Sequence, residues 1–510
     1  MEQLSGLDTL FLDLEGGTTY GHVCGLALFD PASTTTPTGF DEFTALIGDR
    51  VHLVPALRRR LVEVPLGLDQ PYWIEDPNFE LDFHVRRIAL PAPGDDRQLA
   101  AQVGRIMSRP LDRHRPLWEL YLIEGLENGH LALLTKIHHC AIDGLTGTEI
   151  LATMLDTDPT ESALSPPDAA WRPDDEPSDL EMLGRGLMSV VRSPVKGARL
   201  ATKTLTNLPA VARYAVGTPS LTRLVSFTGR PSDTLLSEAS DKPPRASFNS
   251  RVGPHRRVAF TSIPLDAVKA IKDTYQVSLN DVVLAMCAGA LRGYLELCDE
   301  LPADPLIALV PISVQRHAAT RDTRGETTGD PSGDGGAPNG RIENMTAAMH
   351  THVADPEARL LSIHASMLIA KDTHRAIPAA LLRDAAQYSP PAVTARAARA
   401  VARASGRNHI DLRYNIAISN VPGPQTPLFG AGARLVANYP LAPVHDGAGL
   451  NITVQSYDSK LDVGIVGCRE LVPDPWVISE LLHEALDELE VCAERFRAAS
   501  TARSAAEATA

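Results

Sequence analysis

An apolar run that ends in two adjacent histidines limits the folds open to this chain. Residues 131–137 are mostly apolar and have the length of a buried strand. His138 and His139 follow at once, and residues 148–155 then carry large apolar side chains at helical spacing. The sequence therefore predicts that both histidines lie at the junction between a strand and a helix.

A partner strand is predicted immediately upstream, over residues 118–126. The two strands are separated by the pair Asn128-Gly129, which favours a two-residue hairpin turn with positive φ at both central residues. Such a hairpin would present His138 and His139 at one edge of a sheet. Because successive side chains of a strand point to opposite faces, only one of the two histidines can face a cleft.

The residues alone leave three interpretations of His138 and His139 open. They are histidines satisfied within the core, metal ligands together with Asp143, or a catalytic base with its support, and on the residues alone the core interpretation ranks first. Histidine suits a base because its pKa allows proton removal and return near neutrality. The sequence gives little support for a metal site, since the two side chains point apart and no further ligand follows at short spacing. Cys140 could instead accept an acyl group as a nucleophile, although its neighbours are apolar.

Length, charge and hydropathy exclude several classes of protein. A chain of 510 residues is too long for one ordinary core and predicts two domains. A formal net charge of -15 argues against a nucleic-acid partner, which a basic face normally meets. No secretory signal is evident, and no apolar stretch reaches the roughly 20 residues that a spanning helix needs. The six cysteines are scattered, as is typical of a reducing cytoplasm. We therefore expect a cytoplasmic protein whose contact with any membrane is peripheral.

A linker is predicted between the two domains. Residues 156–179 are rich in Pro, Asp and Ser, and Ser178 then begins a capping box and an amphipathic stretch that reaches about residue 208 with a basic polar face. Two interpretations stay open: a helix that bridges the domains, which we favour, or a helix that lies on an anionic membrane surface. Residues 320–340 are dense in Gly, Asp, Thr and Pro and predict a disordered loop.

Two polar segments stand out in the second half of the chain. Asn280 and Asp281 begin a predicted helix over residues 282–295 that is apolar on nearly all sides, and they can cap its exposed amides. Ser419 and Asn420 lie where a predicted strand closes in a Pro-Gly turn. On the residues alone, both segments have structural roles.

These segments together resemble a known family. The run from His138 to Gly144 is the His-His-x-x-x-Asp-Gly motif of CoA-dependent acyltransferases and of peptide-synthetase condensation domains. Over nearly its whole length the chain resembles the bacterial wax ester synthase/diacylglycerol acyltransferase family. The other matching segments include Pro116-Leu117-Trp118, Asn280-Asp281 and Ser419-Asn420-Val421-Pro422-Gly423-Pro424.

The resemblance implies a layered α/β fold. It has two chloramphenicol-acetyltransferase-like halves, joined by a crossover helical linker, with an active-site channel between them. The implied segments are a first half over residues 1–160 with the histidine motif, a linker over 161–245 with the basic amphipathic helix, a second half over 246–498 and a disordered tail over 499–510.

The resemblance also implies roles for the residues of the motif. His139 is the general base and His138 has a structural role. Asp143 holds the shape of the loop, and Gly144 permits the turn into the following helix. Trp118 borders the active site and contacts substrate.

The remaining implied site residues lie mainly in the second half. Asn280 would hold the thioester oxygen as negative charge develops on it, and Asp281 would fix the start of the helix. Ser419 and Asn420 would line the site. The pair Asp112-Arg113 supplies candidate ion-pair partners for the motif.

The implied reaction is the direct transfer of a long-chain acyl group from acyl-CoA to diacylglycerol or to a long-chain alcohol. The product is triacylglycerol or wax ester, and the sequence does not decide between them. No metal and no cofactor is expected, since acyl-CoA is a substrate. The implied location is the cytoplasm, with peripheral contact to the inner membrane or to lipid droplets.

Two other classes of protein stay open. A condensation-type enzyme would use carrier-bound acyl groups, but its Asp-Phe-Gly-Trp-Gly segment is not found in this chain. A non-catalytic lipid-binding relative would have lost the base, and the presence of His139 makes this class the weaker of the two.

Overall fold

The structure, a computed structural model, describes residues 1–142, 147–159, 171–189, 243–314, 341–375 and 412–509. Several of the expectations above concern residues outside these ranges. They are those for Asp143, for Gly144, for the loop over 320–340 and for most of the crossover linker with its basic face.

The strands of the described residues are short to medium in length. In chain order they are β1 (Glu2–Gln3), β2 (His22–Asp30), β3 (Arg59–Val62), β4 (Tyr72–Glu75), β5 (Val85–Ala89), β6 (Trp118–Glu124), β7 (Leu131–His138), β8 (Arg256–Pro264), β9 (Ile307–Val314), β10 (Arg341–Ala348), β11 (Ile416–Val421), β12 (Phe429–Gly430), β13 (Ala433–Leu441), β14 (Leu450–Tyr457) and β15 (Lys460–Cys468).

Helices lie between these strands in both halves. They are α1 (Gly6–Leu14), α2 (Phe40–Arg50), α3 (Leu81–His84), α4 (Asp96–Met107), α5 (Gly147–Met154), α6 (Leu265–Tyr275), α7 (Leu279–Leu297), α8 (Pro356–Arg375) and α9 (Trp476–Thr509). Residues 179–189 are also helical. Short 3₁₀ turns cover Pro31–Ser33, Val51–Leu53, Pro55–Leu57, Pro65–Gly67 and His139–Ala141.

Two six-stranded sheets, each with parallel and antiparallel pairs, form the framework of the described residues. The first sheet has the order β12-β13-β2-β7-β6-β5, and the second has the order β10-β9-β11-β14-β15-β8. A third, three-stranded sheet has the order β1-β4-β3. The α/β fold with two sheet-based halves therefore agrees with the fold class implied by the sequence.

The strand and the helix on either side of the histidine motif form as predicted, but the hairpin turn before them differs. β6 pairs antiparallel with β7, yet β6 ends at Glu124, so the connection is longer than two residues. In the predicted turn only Gly129 has a positive φ, of 76°. The side chain of Asn128 instead accepts the N–H of His130 at 3.0 Å, which satisfies the turn locally without a left-handed asparagine.

The two halves are not separate in sequence, contrary to the predicted boundaries. β12 and β13 come from the second half of the chain, yet β13 pairs antiparallel with β2 in the first sheet. β13 also approaches β15 of the second sheet very closely, because a Cβ on Gly464 would lie 1.9 Å from the carbonyl oxygen of Pro440. The segment from β12 to β13 therefore joins the two sheets.

The two helices that flank the second sheet show one confirmed prediction and one error. α7 is buried along nearly its whole length, as its apolar pattern predicts, and it packs on α9 so closely that a Cβ on Gly293 would lie 2.9 Å from Leu481. The prediction of a disordered tail from residue 499 is wrong, because α9 continues to Thr509. Its last residues are rich in Ala, the strongest helix former, and contain neither Gly nor Pro.

Candidate active site

The two adjacent histidines have opposite environments at the end of β7. His138 is the last residue of β7 and is 1% exposed, whereas His139 begins the 3₁₀ turn and is exposed. The backbone N–H of His139 donates to the carbonyl of Gly21 at 2.9 Å, immediately before β2. One histidine is therefore accessible and the other is not, which agrees with the prediction that only one of the two can face a cleft.

His138 is held by hydrogen bonds at both ring nitrogens. Its Nδ1 accepts the backbone N–H of Cys140 at 3.1 Å, so the ring proton belongs on Nε2. Nε2 then donates to Glu15 Oε1 at 3.1 Å. With both nitrogens engaged inside the protein, His138 has a fixed orientation and no free nitrogen for a substrate.

Glu15 is the centre of this hydrogen-bond cluster. Besides His138, its Oε1 accepts the N–H of Gly21 at 2.8 Å, and its Oε2 accepts a hydrogen bond from Arg113 Nη2 at 2.7 Å. Burial alone would raise the pKa of Glu15, but these partners outweigh it and lower the pKa to about 2. Glu15 is therefore an anion at neutral pH and keeps the proton of His138 on Nε2.

His139, the neighbour of His138, presents a neutral imidazole next to this cluster. Its ring stacks on Phe11 of α1, with centroids 4.2 Å apart and an angle of 26° between the planes. The side chain is open to solvent on one side, but the protein atoms around it desolvate the ring and lower its pKa, while the charge of Asp8 acts in the opposite direction. An accessible neutral imidazole can accept a proton at physiological pH.

Cys140 does not have the environment of a nucleophile. It is 2% exposed, and burial with the nearby charges of Asp8 and Glu15 raises the pKa of its thiol. Its Sγ lies 2.9 Å from His138 Nδ1, not beside His139. Within this arrangement the thiol stays protonated and out of reach of a substrate.

The second polar segment lies at the start of α7. Ser278 Oγ accepts the N–H of Asp281 at 3.2 Å, and Asp281 Oδ2 accepts the N–H of Ser278 at 2.9 Å, so the two residues form a capping box. Asp281 Oδ2 also accepts from His364 Nδ1 of α8 at 2.7 Å. Asp281, 1% exposed, thus anchors the first turn of the helix.

Asn280 and Asn420 meet at this helix start. The Nδ2 of Asn420, on β11, donates a long hydrogen bond of 3.4 Å to Asn280 Oδ1. This contact engages only the side-chain oxygen of Asn280, and its Nδ2 has no hydrogen-bond partner among the described residues. Ser419 is half-buried on the same strand, opposite Thr453 of β14. The structure therefore brings Asn280 and Asn420 together, as members of one polar patch.

The family of the chain follows from its sequence. The family model of the wax ester synthase/diacylglycerol acyltransferase catalytic domain matches residues 4–283, and that of the C-terminal domain of the same family matches residues 340–490. The chain belongs to the wax ester synthase/diacylglycerol acyltransferase family.

Relatives of this family cover almost the whole chain. A probable diacylglycerol O-acyltransferase of Mycobacterium tuberculosis, tgs2, is 35% identical over 96% of this chain and 99% of its own length. The solved wax ester synthase/diacylglycerol acyltransferase of Marinobacter aquaeolei VT8 is 29% identical, with a TM-score of 0.64 over 96% of this chain and 100% of that one. The starter condensation domain of rhizomide synthetase, 13% identical with a TM-score of 0.50 over 97% and 94% of the two chains, shares the fold alone.

Trp118 lies beside the histidine motif of this acyltransferase, because it pairs with Ile137 of β7, but its side chain is enclosed. It is 3% exposed, its Nε1 donates to the carbonyl of Leu57 at 2.7 Å, and its ring stacks on His84 with centroids 4.5 Å apart. An indole enclosed on these sides has no exposed face for a substrate. Trp118 is therefore a core residue, and the prediction that it contacts substrate is corrected.

Of the two predicted ion-pair partners of the motif, Arg113 reaches it and Asp112 does not. Arg113 reaches the motif through its ion pair with Glu15, whereas Asp112 faces away and lies 3.8 Å from Arg115. Glu15 and His364 were not predicted as site residues. Glu15 is 123 residues away from His138 in sequence, and His364 is 83 away from Asp281, so no local spacing indicated either contact.

Two further properties concern the described part of this family member. No group of three or more His, Cys, Asp or Glu side chains that could hold a metal ion occurs among the described residues. No helix found in that part of the chain is long and apolar enough to cross a membrane.

Proposed function

We propose that this protein transfers a long-chain acyl group from acyl-CoA to diacylglycerol, releasing triacylglycerol and CoA, with His139 as the general base. The observation that carries the proposal is the exposed imidazole of His139 beside a His138 fixed by Glu15. The family membership and the name of the Mycobacterium tuberculosis relative support the reaction class and the acceptor. Transfer to a long-chain alcohol is the second candidate, which the family name equally supports.

The proposed mechanism is a direct transfer between two bound substrates. Neutral His139 removes the proton from the acceptor hydroxyl as the hydroxyl oxygen attacks the thioester carbonyl. The C–S bond then breaks, and the CoA thiolate takes the proton back from His139. Holding both substrates together makes the step nearly unimolecular, and the buried Cys140 forms no acyl-enzyme intermediate.

The other polar residues would support this step. The free amide group of Asn280 would donate to the thioester oxygen as negative charge develops there, and Asn420 would orient that amide. Ser419 would line the site. Asp143 and Gly144 would shape the loop at the end of the motif. The proposed reaction uses acyl-CoA as a substrate and needs no metal and no further cofactor.

A radiolabelled palmitoyl-CoA assay tests the function. Diacylglycerol and hexadecanol are offered separately to the wild type, to His139→Ala and to a control, His352→Ala, which removes an exposed histidine after β10. We expect labelled triacylglycerol from the wild type and the control, and a loss on the order of 100-fold or more in His139→Ala. Full activity of His139→Ala would exclude the base. Ester formed with hexadecanol alone would establish the second candidate, and no ester with either acceptor would exclude both.

We also propose that the protein collects lipid at the surface of the inner membrane or of a lipid droplet. The helix over residues 179–189 carries three large apolar side chains with exposures of 51 to 79%, namely Leu180, Leu187 and Met188. In the sequence this helix leads into a basic run with Arg192, Lys196 and Arg199. Apolar and basic side chains together suit an anionic lipid surface. Charge reversal of the three basic residues should reduce sedimentation with anionic liposomes, and unchanged sedimentation would contradict the proposal.

A further inference from the structure

A cavity of about 590 Å³ lies between the first and the second half of the chain, apart from the polar patch at Asn280. Its walls come from α4, from the start of β8 and from the segment between β15 and α9. Gly104 lets α4 contact β8 directly, since a Cβ there would lie 2.8 Å from the carbonyl oxygen of Arg256. A cavity of this size can hold a part of a small molecule.

The charge of this cavity is opposite to that of the whole chain. The chain carries a formal charge of -15, yet the cavity is lined by five arginines and a histidine against a single aspartate. The lining cations are Arg97, Arg105, Arg256, Arg257, Arg469 and His255, and the aspartate is Asp474. Such a local reversal of charge favours an anionic ligand.

Three of these arginines form no ion pair with a carboxylate in the part of the chain that the structure describes. Arg97 pairs with Asp474 at 3.3 Å and Arg469 pairs with Glu470 at 3.2 Å. Arg105, Arg256 and Arg257 have no carboxylate within 4.0 Å among the described residues.

Arg256 is the most buried of the three, with 6% exposure. Among the described residues its guanidinium donates to backbone carbonyls alone, those of Gly253 at 2.6 Å, of His255 at 3.2 Å and of Thr18. A buried cation without an anion is costly, so an anion in the cavity would stabilise it.

The cavity and His139 are connected through one short segment. Arg256 Nη2 donates to the carbonyl of Thr18, and the guanidinium lies 5.6 Å from the centre of the Tyr20 ring. The carbonyl of Gly21 accepts the N–H of His139 at 2.9 Å. Thr18 and Gly21 are three residues apart, which limits their separation to about 11 Å. The distance from Arg256 to the backbone of His139 is therefore short enough for a ligand with phosphates in the cavity and an extended arm to span it.

We propose that this cavity binds the phosphate-bearing nucleotide end of CoA, with Arg105, Arg256 and Arg257 as its phosphate-binding residues. The identity of the ligand rests on the proposed function. CoA carries its phosphates at one end and its thiol at the other, joined by an extended arm, which is the shape that the position of the cavity requires. Guanidinium groups bind phosphate oxygens through two parallel hydrogen bonds, and Arg256 is already fixed for this by its carbonyl partners.

The test uses a double charge reversal in the full-length protein. Arg105→Glu/Arg257→Glu changes two exposed arginines of the cavity, so the fold should tolerate it. Arg495→Glu/Arg497→Glu on α9 is the matched control, because it changes two exposed arginines outside the cavity by the same charge. Binding of CoA and of dephospho-CoA, which lacks the 3′-phosphate, is measured by calorimetry at low salt. Palmitoyl-CoA kinetics are measured with diacylglycerol.

We expect the Kd for CoA to rise roughly tenfold or more in the cavity variant and to stay unchanged in the control. The wild type should prefer CoA over dephospho-CoA, and the cavity variant should lose this preference. The KM for palmitoyl-CoA should rise while kcat stays within about twofold, since these arginines do not touch the reacting atoms. Equal affinity for CoA in the wild type and the cavity variant would overturn the proposal.

A lipid headgroup carries the same phosphate chemistry as CoA, and a vesicle experiment distinguishes the two. Binding to phosphatidylglycerol vesicles is measured by sedimentation. If the cavity holds a lipid headgroup, the cavity variant should bind these vesicles less well than the wild type while its affinity for CoA stays unchanged, and this result would overturn the proposal. Calorimetry does not depend on turnover. The two proposals can therefore fail separately. If the wild type binds CoA but forms no ester, and the cavity variant no longer binds CoA, the proposed function is contradicted and the CoA site is supported.

Discussion

The histidine pair His138-His139 and the pair Asn280-Asp281 are built alike in the two halves of the molecule. In each pair one residue is buried and held by a hydrogen bond between a carboxylate and an imidazole, while its neighbour is left more accessible. Glu15 binds His138 at 3.1 Å, and His364 binds Asp281 at 2.7 Å. In both places the buried residue fixes the backbone from which the accessible side chain projects.

The two arrangements differ in how completely the carboxylate is satisfied. Both oxygens of Glu15 accept hydrogen bonds, from His138, from the N–H of Gly21 and from Arg113. Asp281 uses only Oδ2, and its buried Oδ1 has no hydrogen-bond partner among the described residues. The cluster at Glu15 is therefore the more rigid support, and the base needs it more than a neutral amide does, since a wrong tautomer or tilt of the imidazoles would stop proton transfer.

Apart from the base itself, the largest effect is expected at Asn280, the accessible member of the second pair. Asn280→Ala should lower kcat on the order of 100-fold, because it removes a donor to the developing oxyanion. Thermal unfolding should stay near the wild type, since Asn280 is half-buried and the capping box does not involve its side chain. Asn420→Ala, which removes only the orienting contact, serves as the control and should cost a few-fold. An unchanged kcat in Asn280→Ala would leave this residue a structural part of the helix start.

Removing the saturated carboxylate should affect stability and turnover together. Glu15→Ala leaves the buried Nε2 of His138 and the N–H of Gly21 without their acceptor, while Arg113 keeps its hydrogen bond to the carbonyl of Leu12. We expect a loss of about 2–3 kcal/mol in the free energy of unfolding. The control is Glu63→Ala, because Glu63 lies 4.0 Å from the same Arg113 but is 75% exposed, so its loss should cost under about 0.5 kcal/mol. Chemical denaturation measures both. Equal costs for the two variants would mean that the cluster at Glu15 does not hold the motif.

The low pKa of Glu15 gives this stabilisation a defined pH dependence. The pKa is lowered from 4.5 to about 2 by folding, so the folded state favours the ionised carboxylate. The stabilisation should be fully present above pH 4.5 and should decline as the pH falls from about 4.5 toward 2. The difference in unfolding free energy between the wild type and Glu15→Gln, measured across this range, should shrink with acid. A difference that stays constant would show that the carboxylate charge is not involved.

The sequence predicted local elements better than it predicted connections between them. Apolar runs with a clear period indicated β7, α5 and α7, because their burial sets the pattern directly. The turn at Asn128-Gly129 was predicted from local preference and was wrong in its backbone. Pairs with positive φ at both residues occur elsewhere in the described residues. One is Asp458-Ser459, between β14 and β15, with φ of 38° and 69°, and another is Ala431-Gly432, between β12 and β13, with φ of 49° and 82°.

The contacts that build the site depend on long-range pairing, which local sequence patterns do not encode. The motif identified His138 and His139, and one is buried and the other exposed as expected. Strand alternation is not the cause, because β7 ends at His138 and His139 begins the 3₁₀ turn. Glu15, in contrast, meets His138 only because β2 and β7 pair in the folded sheet. The insertion of β13 beside β2 is equally non-local, since burial of β13 is satisfied by either sheet and its sequence does not indicate which one it joins.

The smallest effect is expected at the less saturated support. His364→Ala removes one of the two hydrogen bonds to Asp281 Oδ2, while the N–H of Ser278 still donates to the same oxygen. His364 is 31% exposed, so water can replace part of the lost contact, and we expect a cost of about 1 kcal/mol in unfolding free energy with a few-fold decrease in kcat. His364→Asn keeps a donor and should recover part of kcat, whereas a loss as large as that of Glu15→Ala would mean that the two supports are equivalent. A loss smaller than that of Glu15→Ala is expected because Asp281 Oδ1 has no partner among the described residues, and a carboxylate with one unpaired oxygen can shift to take a new partner. The helix start that carries Asn280 can therefore adjust to a substrate, whereas the end of β7 is held in place.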